Sequence, residues 1–351
     1  MSQKCKVLIA CVKWADLNPR RPLCPSSFTL IDTLQKSDIG VPYAFFCDEH
    51  AYKTKTQCDE SFLNYCYQVQ PDFLLLFPTQ LDMSIALPSN DNRHQPLYAF
   101  PRNETIRFVR DKLSIPVITA VGDAWGNAAF ERFEAMKDFS DKILLFDPAS
   151  DFLIKTKTPQ KYAILWFPVD QKIFYKTDLP QDIPISFIGR THPVPENGSI
   201  SAESSLHQYV YRTHLLQKMI SLGCPIFQAG GVQSTYPLSV EMVANYLQRS
   251  KISISITYHT PTKRLFRGRT WEATNCGTML LEEDNDSIRH FFEPLKHYVP
   301  FLDPEEGIDR ANFFLHHEGF RMEIAKAAHE LVQQEYNERN FWYKLLHLAN
   351  V

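Results

Sequence analysis

Four cationic side chains stand close together in the second half of the sequence, just ahead of a short helical pattern. Lys263, Arg264, Arg267 and Arg269 fall within seven positions, and a helix is predicted to open near Thr270. The first turn of a helix presents unpaired N–H groups and a positive dipole end, and arginine forks match phosphate oxygens two at a time. The spacing therefore predicts a place to hold a diphosphate. The charge run alone is also compatible with a solvated basic loop.

Two predicted strands frame this cation-rich stretch. Lys251 to Ile256 is predicted to be a buried strand, Gly277 ends the helix, and Met279 to Leu281 forms the next strand. The acidic run Glu282-Glu283-Asp284-Asn285-Asp286 follows that strand. It could be mistaken for a metal-binding motif, but a run of acids after a strand is more often a solvated turn, and no metal site is predicted there.

Composition and charge exclude several classes of protein. With 44% apolar and 22% charged residues, the chain is typical of soluble globular proteins, so we expect neither disorder nor a membrane protein. A formal charge of −3 argues against nucleic acid as a partner. No stretch approaches the ~20 apolar residues of a spanning helix, and the start of the chain is predicted to be a strand rather than a signal peptide. Peripheral membrane contact stays compatible with the sequence.

Cysteine usage predicts a reducing location. The eight cysteines form no CxxC pair, so a zinc site is not expected. Several stand in apolar patterns, where a free cysteine behaves as a small core residue. We therefore expect a cytoplasmic protein without a disulfide framework.

The length and the order of the patterns predict two domains. A chain of 351 residues suits two cores, and both halves alternate short apolar runs with helical patterns, as βαβ units around a parallel sheet do. The expected division is a first domain over 1–167, a linker over 168–184, a second domain over 185–336 and a terminal helix at the domain junction over 337–351. The predicted fold class is α/β, with two Rossmann-like domains facing each other across a cleft and the last helix crossing back to the first domain.

Ligand contacts are expected where strands end, because open α/β sheets bind ligands at the carboxyl ends of their strands. Gly189 and Arg190 end the first strand of the second half, and Gly230 lies in an Ala-Gly-Gly turn that lets a backbone come close to a flat ligand. His259 follows the central strand and could touch a ligand, although a capping or core histidine is an equal alternative. Asp123, in the loop GDAWGN, is a candidate as well, unless it only stabilises the turn.

The helix that follows the first strand of the second half has a predicted apolar face. Over Ser204 to Leu222 the periodicity of 3.6 residues brings six side chains to one side, namely Leu206, Tyr209, Val210, Thr213, Leu216 and Ile220. Gly223 and Pro225 are expected to stop the helix.

An ordered series of motifs in the second half resembles the group 1 glycosyltransferases of the GT-B fold, and most closely their spore-maturation-protein-like (CgeB-like) branch. The resemblance rests on SFIGR, ANYLQRSKISISI, FRGRTWEATNCGTMLLEE and HYVPF, and it continues into the C-terminal helices. The first half is similar only in outline, through PDFLLLF, IPVITAVGDAW, DKILLFDPAS and LWFPVD. The agreement of the whole series carries the resemblance, because any single motif would be weak.

The resemblance implies transfer of a sugar from a nucleotide-diphosphate donor that the second domain binds. The Glu of the family's E-A-x-x-x-G helix, here Glu272, is expected to take the ribose hydroxyls. Gly189 and Arg190 would approach the diphosphate. The full set of expected donor-binding residues is Gly189, Arg190, Gly230, His259, Lys263, Arg267, Arg269 and Glu272. Neither a cofactor nor a metal ion is expected, because protein cations would neutralise the phosphates.

Two positions depart from the family pattern and leave the donor and the stereochemical outcome open. Retaining relatives carry a second glutamate where this chain has Arg264, and a lysine where it has Pro195. If the reaction inverts the anomeric centre, it needs a base from the first domain, and Asp123 is the first choice, ahead of His94 and Asp16. A nucleotide-sugar epimerase and a catalytically silent binding protein stay open as alternatives, since a fold alone does not determine function.

Overall fold

The structure, a computed structural model, describes residues 4–54, 56–78, 100–121, 134–148, 153, 156–193, 207–231, 238–260 and 263–351. Within these ranges the side chains of Asp16, Thr260 and Lys263 are not described. The chain forms two compact units: Met1–Asp170 together with Glu338–Val351, and Gln171–Asn337.

The first unit is built on a parallel sheet of six strands in the order β2-β1-β3-β4-β5-β6. Its strands are β1 (Cys5–Cys11), β2 (Gly40–Phe46), β3 (Phe73–Leu76), β4 (Val117–Val121), β5 (Lys142–Leu145) and β6 (Tyr162–Ile164). Among the described residues, its helices include α1 (Pro25–Ser37), α2 (Cys47–Thr54), α3 (Asp59–Val69) and α4 (Asn103–Asp111). Strands covered on both faces read as continuous apolar runs, and Leu8, Leu74 and Ile118 are fully buried accordingly.

The second unit contains a parallel sheet of five strands in the order β13-β12-β9-β7-β8. These are β7 (Ile183–Ile188), β8 (Ile226–Ala229), β9 (Ser250–Ser255), β12 (Met279–Glu283) and β13 (Val299–Phe301). The antiparallel pair β10 (Tyr258–Thr260) and β11 (Lys263–Arg264) follows β9, so part of the predicted cation-rich loop is a short hairpin. The helices are α5 (His207–Ser221), α6 (Val240–Gln248), α7 (Gly268–Asn275), α8 (Pro304–His316) and α9 (Glu318–Gln334).

The strand order of the second unit reverses at β7. Ile185 of β7 pairs with Ile226 of β8 on one side and with Ile252 of β9 on the other. Loops that leave the carboxyl ends of β7 and β9 therefore diverge to opposite faces of the sheet, and the crevice between them is where such sheets bind ligands.

Helix α5 buries only part of the predicted face, since Val210 and Leu216 are buried as predicted but other predicted residues are not. Ile220 is 41% exposed, whereas Arg212 is only 8% exposed, and Leu215 and Met219 pack in the core. The prediction was wrong in part because it counted only apolar periodicity, and an arginine occupies one position of the buried stripe.

The terminal helix α10 (Glu338–Ala349) returns to the first unit, as the predicted fold class requires. Phe341 and Trp342 are fully buried, and the indole N–H of Trp342 donates a hydrogen bond to Thr33 Oγ1 of α1 at 3.1 Å. Within the described ranges, no helix combines the length and the apolar composition that crossing a membrane requires.

Candidate functional site

Helix α7 holds two of the predicted donor-binding residues, Arg269 and Glu272. Arg269 and Glu272 form an ion pair one turn apart, and their side chains are 22% and 26% exposed. Trp271 between them is 1% exposed and packs against Phe266 and Phe291, with distances between ring centroids of 5.3 and 5.0 Å. Because Trp271 fixes the inner face of the helix, the pair is kept at the partly exposed surface. Arg269 Nε is buried and has no hydrogen-bond partner among the described residues.

A buried carboxylate supports the first turn of α7 from below. Glu282, at the end of β12, is fully buried and accepts hydrogen bonds from Thr270 Oγ1 at 2.7 Å and from Asn285 Nδ2 at 3.2 Å. Burial raises the pKa of Glu282 to about 7, and the nearby charge of Glu283 adds to the rise while the hydrogen bonds oppose it. The predicted solvated acidic turn is therefore wrong at its first two positions, because Glu282 and Glu283 are 0% and 1% exposed.

Glu283 forms hydrogen bonds and an ion pair with other residues of the protein. It accepts the backbone N–H groups of Thr257 and Tyr258 at 3.0 and 2.8 Å, and Arg264 Nε lies 2.8 Å away. Tyr211 donates its hydroxyl to Glu283 at 3.0 Å. Arg264 also lies over the ring of Tyr258, 4.7 Å from its centroid. One of the four clustered cations is thus a structural partner of a buried acid rather than a phosphate ligand.

The other arginines gather around the N-terminal turns of α5. Arg212 Nη1 donates to the carbonyl oxygen of Arg190 at 3.3 Å, and both guanidinium groups lie over the ring of Tyr209, at 5.2 and 5.8 Å. Arg267 Nη2 donates to Gln208 Oε1 at 3.0 Å. Burial lowers the pKa of Arg212 to about 10, with the positive charges of Arg267 and Arg190 acting in the same direction. We refer to Arg190, Arg212 and Arg267 as the arginine cluster.

The predicted histidine lies beside this cluster. His259 is 6% exposed, and its Nδ1 lies 3.4 Å from Gln208 Oε1, the same oxygen that Arg267 contacts. The structure thus brings three predicted residues, Arg190, His259 and Arg267, together through residues of α5. Sequence reasoning missed Gln208, Tyr209 and Arg212, and the only available signal was their position on a helix that enters from a long polar loop after Arg190.

Two glycines, Gly189 and Gly230, lie close together where β7 and β8 end. Gly230 has a φ of +86°, a backbone conformation that residues other than glycine rarely adopt. A Cβ at this position would lie 3.3 Å from the carbonyl oxygen of Gly189. The Gly189 N–H donates to the carbonyl oxygen of Ala229 at 3.0 Å. Gly230 therefore allows the backbone ends of β7 and β8 to lie close together, and its approach to a ligand stays a prediction.

Some predicted residues lie outside the described part of the chain. Asp123 and His94 fall in ranges that the structure does not describe, and the side chains of Lys263 and Asp16 are likewise outside it. Among the residues that are described, no three His, Cys, Asp or Glu side chains form a group that could hold a metal ion.

Residues 212–347 match a protein family described as Glycosyl transferase-like. No curated protein matches the chain. The match begins at Arg212 and includes α6, α7 and most of α10. It covers most of the second unit but neither β7 nor Gly189 and Arg190, which follow that strand.

Solved structures extend the similarity to the whole chain. HepE of Anabaena in complex with UDP-glucose has a TM-score of 0.61 at 10% identity, covering 99% of this chain and 100% of HepE. Sucrose-phosphate synthase from Thermosynechococcus elongatus has a TM-score of 0.62 at 11% identity, with 99% and 98% covered. A variant of T4 phage BGT in complex with UDP-glucose has a TM-score of 0.57 at 11% identity, with 99% and 100% covered.

These comparisons confirm the predicted fold, and together with the family match they support the predicted transfer of a sugar from a nucleotide donor. At such low identity the structural similarity by itself speaks only for the fold. The chain has the GT-B fold, and its residues 212–347 carry a glycosyl transferase-like region.

Proposed function

We propose that the protein transfers a glycosyl group from a nucleoside diphosphate sugar, with UDP-sugars as the first candidates because HepE and T4 phage BGT are described with UDP-glucose. The observation that carries the proposal is the convergence of Arg190 and Arg267 at the carboxyl edge of the second sheet, with the Arg269–Glu272 pair directly following Arg267. The strand order of this sheet reverses at β7, the strand that Arg190 follows.

The proposed division of roles follows from charge. Glycosyl transfer develops negative charge on the departing diphosphate, so stabilising groups are needed where that charge appears. Arg190, Arg267 and Lys263 are assigned to the phosphates, and each charge-assisted contact contributes on the order of 1.5–3 kcal/mol. Gly189 and Gly230 let the backbone approach, and His259 lies beside the arginine that contacts Gln208.

Glu272 is assigned to the ribose of the donor. A carboxylate offers two acceptor oxygens to the two hydroxyls of a vicinal diol. Arg269 orients that carboxylate through their ion pair, and Trp271 anchors the helix that carries both. The partial exposure of the pair supports this assignment, because a ligand can reach it.

We propose that protein cations take over the role that a metal ion has in other glycosyltransferases. The support is positive charge already present at the phosphate side, on Arg190, Arg212 and Arg267. Asp123 stays our candidate for the base in the acceptor-side domain over 1–167, with the donor domain over 185–336. The spore-maturation-protein-like branch and a cytoplasmic location complete the proposal, and the free cysteines of the described residues are compatible with that location.

A thermal-shift series with UDP, GDP and TDP tests the proposal. A ligand at one hundred times its Kd stabilises the folded state by about 2.7 kcal/mol, which raises the Tm by several degrees. We expect one of the nucleotides to raise the Tm. If none of them does so at millimolar concentration, the nucleotide site is wrong.

Product analysis with the preferred sugar nucleotide then separates transfer from the alternatives. Appearance of a glycosylated acceptor supports the proposal. An epimerised donor would indicate an epimerase, and an unchanged donor across an acceptor panel would indicate a binding protein.

A further inference from the structure

Arg212 is a buried cation whose surroundings do not balance its charge. The residue is only 8% exposed, and its Nε has no hydrogen-bond partner among the described residues. The hydrogen bond that Nη1 makes to the carbonyl oxygen of Arg190 is long, at 3.3 Å. The ring of Tyr209 covers one side of the guanidinium.

Charges of both signs act on Arg212, and the largest contribution among them is the like charge of Arg267. Arg267 and Arg190 both disfavour its charged form, whereas the acid that favours it, Glu283, already has Arg264 at 2.8 Å. Removing a cation from water requires a nearby counter-charge to offset the loss of hydration. Among the described residues, the charge of Arg212 therefore lacks an acid of its own, and a bound anion would neutralise it.

We propose that Arg212 is a direct ligand of the donor's diphosphate and completes a three-arginine anion site with Arg190 and Arg267. This inference rests on the proposed function. The planar fork of arginine presents donors that fit two phosphate oxygens. Three cations match a diphosphate better than a monophosphate, so the site selects nucleoside diphosphates over nucleoside monophosphates.

The burial of Arg212 makes the proposed contact less sensitive to salt. A buried cation is screened less by salt than an exposed one, so its attraction to phosphate persists at physiological ionic strength. Arg190, which is exposed, is expected to attract the anion from a distance in addition to its contact with the phosphates.

Titration calorimetry on the full chain with UDP, UMP and inorganic pyrophosphate tests the inference. We expect Arg212→Gln to weaken UDP at least tenfold and UMP less than threefold, because UMP lacks the second phosphate. Arg212→Lys, which keeps the charge but loses the fork, should lie between the wild type and Arg212→Gln. Arg249→Gln is the matched control, since Arg249 lies in the same unit and pairs with Asp182 at the surface.

The outcomes separate this inference from the proposed function. If the wild type binds UDP and Arg212→Gln binds it within twofold, the inference is wrong and the proposed function stands. If UDP and UMP weaken equally, Arg212 only positions the loop after β7 and is not a diphosphate ligand. If the wild type binds pyrophosphate but no nucleotide, the proposed function is wrong, and loss of pyrophosphate binding in Arg212→Gln still supports the anion site. If the wild type binds none of these probes and neither GDP nor TDP, both fail.

Discussion

Two buried arginines of the second unit have opposite surroundings. Arg321 is 2% exposed, donates from Nη1 to the carbonyl oxygen of Phe314 at 3.0 Å, and pairs through Nη2 with Glu318 at 3.0 Å. Arg212 is 8% exposed, but the charges of Arg190 and Arg267 act against it. Both have an Nε without a hydrogen-bond partner among the described residues, so burial and an orphan donor alone do not separate them.

Counter-charge is what distinguishes the two positions. Arg321 joins the ends of α8 and α9 through an internal acceptor and an acid, which is a structural task. Arg212 contacts Arg190, which follows β7, and the like charges of Arg267 and Arg190 act against it. The same contrast separates two acid–arginine pairs, because Glu283 with Arg264 is buried and fully engaged, whereas Glu272 with Arg269 is partly exposed. Function is expected where charge is left unbalanced or within reach of solvent.

The largest expected effect is on the structural side of this comparison. Glu283→Ala leaves Arg264 and two backbone N–H groups without their acceptor, so we expect the free energy of unfolding to fall by about 3–5 kcal/mol. Urea unfolding measures the loss. Glu293→Ala, which removes an exposed acid paired with Lys296, is the control and should change stability by less than about 1 kcal/mol. A loss of that small size in Glu283→Ala would show that the buried pair is not structural.

The second effect concerns binding rather than stability. Glu272→Ala or Arg269→Ala should abolish nucleoside diphosphate binding, a loss of at least a hundredfold or about 2.8 kcal/mol, without unfolding the chain. The partly exposed pair can be removed without leaving a fully buried charge. Glu241→Ala, which removes an exposed acid from the first turn of α6, is the control. Unchanged affinity for UDP in either test variant would remove α7 from the site.

The third prediction concerns pH. The pKa of Glu282 is raised in the folded state from 4.5 to about 7, so the folded protein keeps a proton that the unfolded chain has released. The stability that this carboxyl contributes is therefore lost as pH rises from 4.5 through about 7, by up to roughly 3 kcal/mol. Glu282→Gln, which keeps a neutral side chain of the same shape, should flatten the decline between pH 5 and pH 8 in urea unfolding. An equal decline in the wild type and the variant would contradict this.

The smallest effects sharpen the comparison of the two arginines directly. Arg321→Gln should lower the free energy of unfolding by about 1–3 kcal/mol, because it removes the charge-assisted bond to Glu318 and weakens the contact to Phe314. Arg212→Gln should change the stability of the ligand-free protein by less than about 1 kcal/mol, because relief of like-charge repulsion offsets the lost contacts. The Tm of each variant without ligand checks both. A larger loss in Arg212→Gln than in Arg321→Gln would reverse the assignment.

Much of the fold could be predicted from the sequence. The run from β9 to β12 was predicted as strand, helix and strand, because continuous apolar runs, a terminating Gly277 and the spacing between them are local signals. The GT-B fold followed from the series of motifs and is confirmed by the solved structures. The buried face of α5 was wrong in part because periodicity counts apolar residues only.

The candidate site was predictable as a region but not as a set of contacts. Sequence alone determined that cations and a carboxylate precede and occupy a short helix after the central strand, since these follow from residue types and local spacing. Tertiary structure decided what each cation does: Arg264 belongs to Glu283, while Arg212 joins Arg190 and Arg267 from a helix over fifty positions earlier in the sequence than Arg267. The physical reason is that the role of a charge depends on its burial and its counter-charges, and distant segments of the chain supply both.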